Sequence, residues 1–462
     1  MLVLVYLLHV TGVCLSRTLL SFQDLGDIFD ASKETIDNNI IANYHVSESS
    51  YLMPPLKAMY SFNGTKASSY ISHKTFLTIS NDTSVIVVSN GAQLNLSFVN
   101  VIKYGYSSNL MDASFYGVNA AINVQNGSRT FFDHLNVITH NGAANLYSYG
   151  NESYIYIKNS ILYSSGPTAH GLYATEYGTI VGKNIVHYSG GNRCSSFAGD
   201  YPAGYIIISD SIAHTSGIGS PIFYGFGRIT ATNVLGYAEN SPALISDHEL
   251  TATLLDCDLT AGLLGGIVMA NSMYRQSNVI LSLINSRLTA LGKTLPALWF
   301  GNVIATVYLY NTVIYTKSNI LAIANYSQLT EEFNHYASYS DNPNMLPAIV
   351  TINVVKCSLK GDLVAYNGSS IEWIMSQYSI WTGGAYSMYG TSYISVFLDS
   401  TSTWTLTSNT TLQNITSTNY HLTNINSNGY SITYNSSSTA NAWLNRKTIS
   451  LRGGGKLMPA TA

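Results

Sequence analysis

Short runs of alternating apolar and mixed residues recur along most of the chain, and each run closes in the same way. Alternating apolar positions lead to Asn or Asp, then to a small residue, then to apolar residues again, as in YIYIKNSILYSSG, YIIISDSIAHTSG, TATLLDCDLTAG, VILSLINSRLTALG and TVYLYNTVIYTKS. With Asn or Asp as position zero, the copies are anchored at Asn100, Asn136, Asn159, Asn184, Asp210, Asn233, Asp256, Asn285 and Asn311, and Lys356 takes the place in a tenth. From Asn136 the steps are 23, 25, 26, 23, 23, 29 and 26 residues, a drifting period near 25. Positions four before the anchor (Leu96, Ile155, Ile180, Ile206, Val307) and two before it (Phe98, Ile157, Ile208, Leu283, Leu309) are mostly apolar. The position between them is mixed, which is the twofold periodicity of a strand with one buried face.

A unit this short cannot bury its own apolar face, so the units must stack on one shared core. Short strands, Gly-rich turns and no helical stretch predict an all-β, single-stranded right-handed parallel β-helix, a solenoid with a short N-terminal cap. A leucine-rich repeat lacks its Leu-x-x-Leu-x-Leu frame here, and a propeller blade needs about 40 residues. The anchor column then has a structural role. Asn tolerates the left-handed turn conformation, and stacked amides can bond one another in ladders. On this reading Asp210 and Asp256 are turn residues. Cys257 and Cys357 both follow an anchor, three copies apart, too far for a disulfide at one strand spacing per copy, and take the small-residue role of Ser160, Ser211 and Thr312.

The pattern also sets boundaries. Residues 1–16 are a short apolar run ending in Cys14 and Ser16, read as a secretory signal cut before Arg17. Residues 17–56 form an N-terminal cap region in which DLGDIFDASKETIDNNI is a candidate helix. The β-helix spans 57–440 with a polar loop insertion at 326–348, and 441–462 is expected as a flexible tail. No segment suits a membrane span.

Composition narrows the function. Charged residues make up 10% of the chain, hydrophobic ones 46%, and Tyr occurs 35 times. A net charge of −3 offers no attraction for nucleic acid or an anionic membrane. Such a hydroxyl- and amide-rich neutral surface suits a secreted or cell-surface protein. Ten sequons fit export as glycan acceptors: Asn63, Asn81, Asn95, Asn126, Asn151, Asn325, Asn367, Asn409, Asn414 and Asn435. The three cysteines beyond the signal form no disulfide framework, and no Cys/His spacing suits a metal.

With these residues in view the chain resembles the pectin-lyase-like right-handed parallel β-helix superfamily. It looks closest to secreted fungal and bacterial β-helix proteins of unassigned function, through AHGLYATEYGTIVGKN and GGNRCSSFAGDYPAGYIIISDSIAHTSGIGSPIFY. STWTLTSNTTLQNIT is similar to the Trp-containing C-terminal coils of autotransporter passenger domains, many of them adhesins. Phe132-Asp133-His134 is similar to an aromatic-x-Asp-His phrase of pectate lyases. The Arg-x-Pro-x-x-Arg context of their catalytic base is missing, as are the polygalacturonase phrases, of which Ala169-His170-Gly171 is a poor echo.

Two sets of residues remain as candidate sites. Asp133, Glu152, Glu176 and Asp200 are weak catalytic candidates, with Asp247 and Glu249 further along and Arg193 and His170 nearby. Hydrolysis needs two carboxylates on one face, and a lyase needs a calcium cluster and a base, so calcium enters only on that reading. The second set is a column four residues after the anchor: Tyr104, His140, Tyr163, Tyr188, His214 and Tyr237. If Ile138, Ile161, Val186, Ile212 and Leu235 point inward, these rings face out. They then either stack on one another or form a flat strip for sugar rings. The expectation is a non-enzymatic, adhesin-like protein without a cofactor, binding a polysaccharide or cell-surface glycan. The alternatives are a polysaccharide lyase or glycoside hydrolase, or a structural coat or wall component.

Overall fold

A computed structural model describes residues 54–140, 142–262, 265–271, 275, 279–325, 344–388 and 392–460. The signal segment, nearly all of the cap region and most of the 326–348 insertion lie outside the described residues. The chain winds as an all-β parallel solenoid of about 15 turns. Strands from successive turns pair in parallel along the whole described length, with one antiparallel pair at the C-terminal end. Among the described residues no helix is long and apolar enough to cross a membrane.

The repeat explains the coil. The strand Tyr154–Ser164 lies in register on Thr179–Ser189, with Ile155 on Ile180 and Ile157 on Gly182, and Thr179–Ser189 lies on Phe197–Ile218, with Ile180 on Ile206. These inward side chains are buried in one continuous core. At the anchor the strand turns a corner. Asn159, Asn184, Asp210, Asn233, Asp256, Asn285, Asn311 and Lys356 all have φ between 46° and 55°, the left-handed conformation that Asn and Asp tolerate best. Their amides link the turns: Asn184 Nδ2 donates to Asn159 Oδ1 at 2.9 Å, Asn233 to Asp210 at 2.9 Å and Asn311 to Asn285 at 3.0 Å.

In several turns the next residue is a small hydrogen-bonding one, Ser160, Ser211, Ser286, Thr312 or Cys357 among them. Its side chain accepts the N–H of the equivalent residue on the preceding turn, as in Leu135 to Ser160, Ile185 to Ser211, Thr312 to Cys357 and Cys357 to Ser379. Cys257 and Cys357 therefore do occupy the Ser/Thr column, as free buried thiols.

Two expectations need correction here. Asn100 and Asn136 are not corner residues: the left-handed positions in those turns are Phe98 and His134, with φ of 54° and 55°. Thr139 lies on Ser164 and Ile138 on Tyr163, so the true origin falls two residues earlier. Ring stacking holds this non-Asn corner, with His73, Phe98 and His134 at centroid distances of 5.2 and 4.5 Å. Second, Ile161, Val186 and Ile212 are only half-buried and Leu235 is exposed, whereas Leu162, His187 and Ala213, one residue on, fill the core.

The C-terminal segment is not a loose tail. Lys456–Pro459 pairs in parallel with Ile432–Tyr434 and antiparallel with Ile449–Ser450, burying Leu457 against the last turn. Beneath it, Trp381 and Trp404 stack 4.7 Å apart inside the core, and each indole N–H donates to a glycine carbonyl one turn back.

Among the described residues, a short helical insertion decorates the coil. Helix α1, Leu110–Tyr116, is capped at its start by Asn109, whose side chain accepts from the N–H groups of Met111 and Asp112. It ends at Gly117 in the left-handed conformation, where any Cβ would meet the Tyr147 ring at 2.4 Å.

Candidate functional site

The six-ring column keeps its continuity but not its exposure. Centroid distances between neighbours run 5.5, 5.5, 5.8, 5.0 and 5.2 Å from Tyr104 through His140, Tyr163, Tyr188 and His214 to Tyr237. Tyr104 is exposed and Tyr237 half-buried, but the four rings between them are buried. The shifted origin adds a jog: Tyr104 and His140 belong to one row, and Tyr163, Tyr188, His214 and Tyr237 to the row two residues earlier. His214 Nε2 meets Glu239 Oε1 at 2.6 Å. Burial lowers the His214 pKa, against the pull of Glu239. As built, the column is a stacked support and offers no open strip for a sugar.

The acidic candidates fall into separate environments. Asp133 sits beside the corner, 2.7 Å from His134 Nδ1 and 3.3 Å from Lys158 Nζ, and accepts a hydrogen bond from Asn159 at 2.9 Å. Burial pushes its carboxyl up, but the bonds from Asn159 and Lys158 and the charges of His134 and Lys158 outweigh that and hold it below the usual range. Asp200 is buried, accepting from the Tyr173 hydroxyl and from the Tyr201 N–H. Desolvation raises its pKa to about 6, against the opposing effects of those bonds and of Arg193.

His170 is buried and stacked on Tyr173 at 4.1 Å, and it accepts the Ser195 N–H. Burial, then Arg193 and His187, lower its pKa to about 3. Glu176 is half-buried and Glu152 exposed, while Asp247 is buried and Glu249 exposed. Thr175 pairs with Tyr149 and Ala174 with Gly199, so Glu152, Glu176 and Asp200 lie at three different positions along the strand. Among the described residues no group of three or more His, Cys, Asp or Glu converges as a cation site.

The surface offers a different constellation. Arg129, Phe131, Glu152, Ser153, Tyr154 and Thr179 line a shallow groove of about 180 Å³ on the outer face of the coil. Three adjacent strands build it, with Arg129 in register on Tyr154 and Tyr154 on Thr179. Outward alternation presents Arg129 and Phe131, and the Phe131 ring is 49% exposed. Its centroid stands 6.3 Å from both Tyr154 and Tyr156. The turn before Tyr154 is pinned by buried Ser153, whose hydroxyl accepts the Gly127 N–H at 3.1 Å. One turn on, exposed Tyr177 and half-buried Tyr205 extend the aromatic surface with centroids 6.4 Å apart.

Of the sequence candidates, only Glu152 lines this groove. Arg129, Phe131, Tyr154 and Thr179 escaped sequence reasoning because of the misplaced origin. Counted from His134, Asn159, Asn184 and Asp210, the residues Arg129, Tyr154, Thr179 and Tyr205 all stand five before the corner. Counted from Asn136 the row is broken at its first member. No protein family, curated protein or solved structure matches the chain in comparison.

Proposed function

We propose that this protein is a secreted or cell-surface, N-glycosylated β-solenoid that binds a polysaccharide or cell-surface glycan without cleaving it, using the Arg129–Tyr154 groove. The observation that carries the reading is the company of side chains there. The exposed Phe131 ring and the half-buried Tyr154 stand beside a guanidinium, a carboxylate and hydroxyls in a chain with few charges. Sugars present apolar C–H faces edged with hydroxyls. Ring faces cover the former, and Arg, Glu and Thr groups bond the latter. The shallow shape suits a chain lying along the surface better than a small molecule enclosed by it. Non-enzymatic binding fits the separated carboxylates, because acid–base cleavage needs two of them flanking one bond. The right-handed sense and the kinship with pectin-lyase-like proteins belong to this proposal, supported by the sequence phrases and the parallel coil.

A panel of neutral and uronate polysaccharides tests it. Wild-type protein is expected to bind at least one member, and Arg129→Ala or Tyr154→Ala to weaken that binding by ~tenfold or more, about 1.4 kcal/mol. Tyr188→Ala, in the buried column, serves as the control for indirect effects. Undiminished binding by both groove variants would remove the site, and new reducing ends or unsaturated products would replace binding with catalysis.

A further inference from the structure

Two Asn-x-Ser sequons border this groove. Asn126-Gly127-Ser128 leads directly into Arg129 and Phe131, and Asn151-Glu152-Ser153 leads into Tyr154. Both asparagines are exposed, at tight turns on consecutive coils, where Asn126 and Gly127 have φ of 53° and 71° and Gly150 and Glu152 have 89° and 65°. The turns touch. Gly127 N–H donates to Ser153 Oγ at 3.1 Å, and a Cβ on Gly127 would lie 4.0 Å from Glu152 Oε2. Asn151 spends its side-chain oxygen on the Glu152 N–H, and Asn126 gives one of its two amide hydrogens to Asn90 Oδ1 at 3.2 Å.

Two other sequons, at Asn414 and Asn435, are less exposed. Asn414 is half-buried, donating to Ser395 Oγ and accepting from Ser438 Oγ, and half-buried Asn435 donates to Gln413 Oε1. Their amides tie neighbouring coils together.

We infer that N-linked glycans on Asn126 and Asn151 stand at the lip of the Arg129–Tyr154 groove and control access to it, an inference that rests on reading the groove as a binding surface. In the attachment step, Asn Nδ2 attacks the anomeric carbon of a lipid-diphosphate-linked oligosaccharide. The N–C bond forms as the C–O bond to the diphosphate breaks, one amide proton is lost, and the lipid diphosphate leaves. The two carriers stand one coil apart, ~4.8 Å along the axis, Asn126 three residues before Arg129 and Asn151 three residues before Tyr154. A glycan on either would therefore sweep the volume that an external chain must enter.

The test uses the full chain secreted from a glycosylating eukaryotic host. Site occupancy is read by mass spectrometry after enzymatic deglycosylation in heavy-oxygen water. Hydroxyl-radical footprinting then reads the exposure of Phe131 and Tyr154. Both sites are expected to be occupied, and oxidation of both residues is expected to rise severalfold in Asn126→Gln plus Asn151→Gln. Tyr308 and Tyr315, exposed elsewhere on the coil, should stay unchanged and report intact folding. Deglycosylating the folded wild type should reproduce the rise. Vacant sites, or unchanged oxidation by both routes, would overturn the inference. A rise in oxidation without glycan binding by either form would uphold the shielded groove and retire the binding function instead.

Discussion

The Tyr173 hydroxyl donates to the carboxylate of buried Asp200, and the same hydroxyl lies 3.0 Å from Ser114 Oγ in helix α1. Tyr147 joins from below, donating to the Ser114 carbonyl at 2.7 Å. A chain of polar groups thus fastens the helix to three successive coils, with an ionisable group at its far end.

That group makes stability depend on pH. Burial raises the Asp200 pKa from 3.8 to about 6, so the folded state holds a proton that the unfolded chain releases between those values. The stabilisation is fully present below about pH 4 and is lost as pH rises through 6. A shift of this size corresponds to roughly 3 kcal/mol. Urea unfolding at pH 4.5 and 7.5 should show the wild type losing stability over this interval relative to Asp200→Asn. Parallel slopes for the two proteins would contradict the assignment.

The tryptophan pair fixes a second expectation. Trp381 is fully buried between Trp373 and Trp404, and its indole N–H is bonded to the Gly361 carbonyl at 2.8 Å. Trp381→Ala should cost about 3–5 kcal/mol through cavity formation. Trp381→Phe keeps a ring but orphans the carbonyl and should cost less, about 1–3 kcal/mol. Denaturant midpoints rank the three proteins.

At the corners, backbone conformation and hydrogen bonding can be separated. Asn184, with φ of 54°, donates to Asn159. Asn184→Gly loses the ladder bond but tolerates the turn, whereas Asn184→Ala loses the bond and adds left-handed strain of about 1–2 kcal/mol. The alanine variant should be the less stable by that difference in thermal or urea unfolding.

The end of the coil gives a local prediction. Leu457→Asp would place a carboxylate where Leu457 now packs fully buried beside Ile432. Hydrogen exchange should accelerate in peptides covering 430–460 and stay unchanged in those covering 150–190. Equal protection throughout would show that the closing strands contribute little.

The coil itself was legible because two constraints coincide in the sequence. Inward positions such as Ile155, Ile180 and Ile206 must be apolar, and a left-handed corner selects Asn or Asp. Where stacked rings hold the corner, at Phe98 and His134, that second signal is silent and the origin slipped by two residues. The groove was lost with it, since Arg129 joins the row of Tyr154 and Thr179 only in the corrected frame. Exposure of the Tyr163 and Tyr188 column was misjudged for another reason. Alternation identifies which side of the strand a ring leaves from, but not what packs over it afterwards. The closing strands were read as a tail because Gly453, Gly454 and Gly455 and a short run of charges look like linker. Yet the glycines make the tight reversal that brings Leu457 back to the core.

That reversal bears on self-assembly. Every internal coil is a template for the one after it, and a bare terminal rung would serve a second molecule equally well, seeding fibres end to end. Because Ile449–Ser450 runs against the direction of the other described rungs, it meets Lys456 and Leu457 on the outward edge of their strand in the wrong polarity for continuation. On this face of the coil the last rung is thereby closed by a strand of opposite polarity, a poorer template for parallel addition.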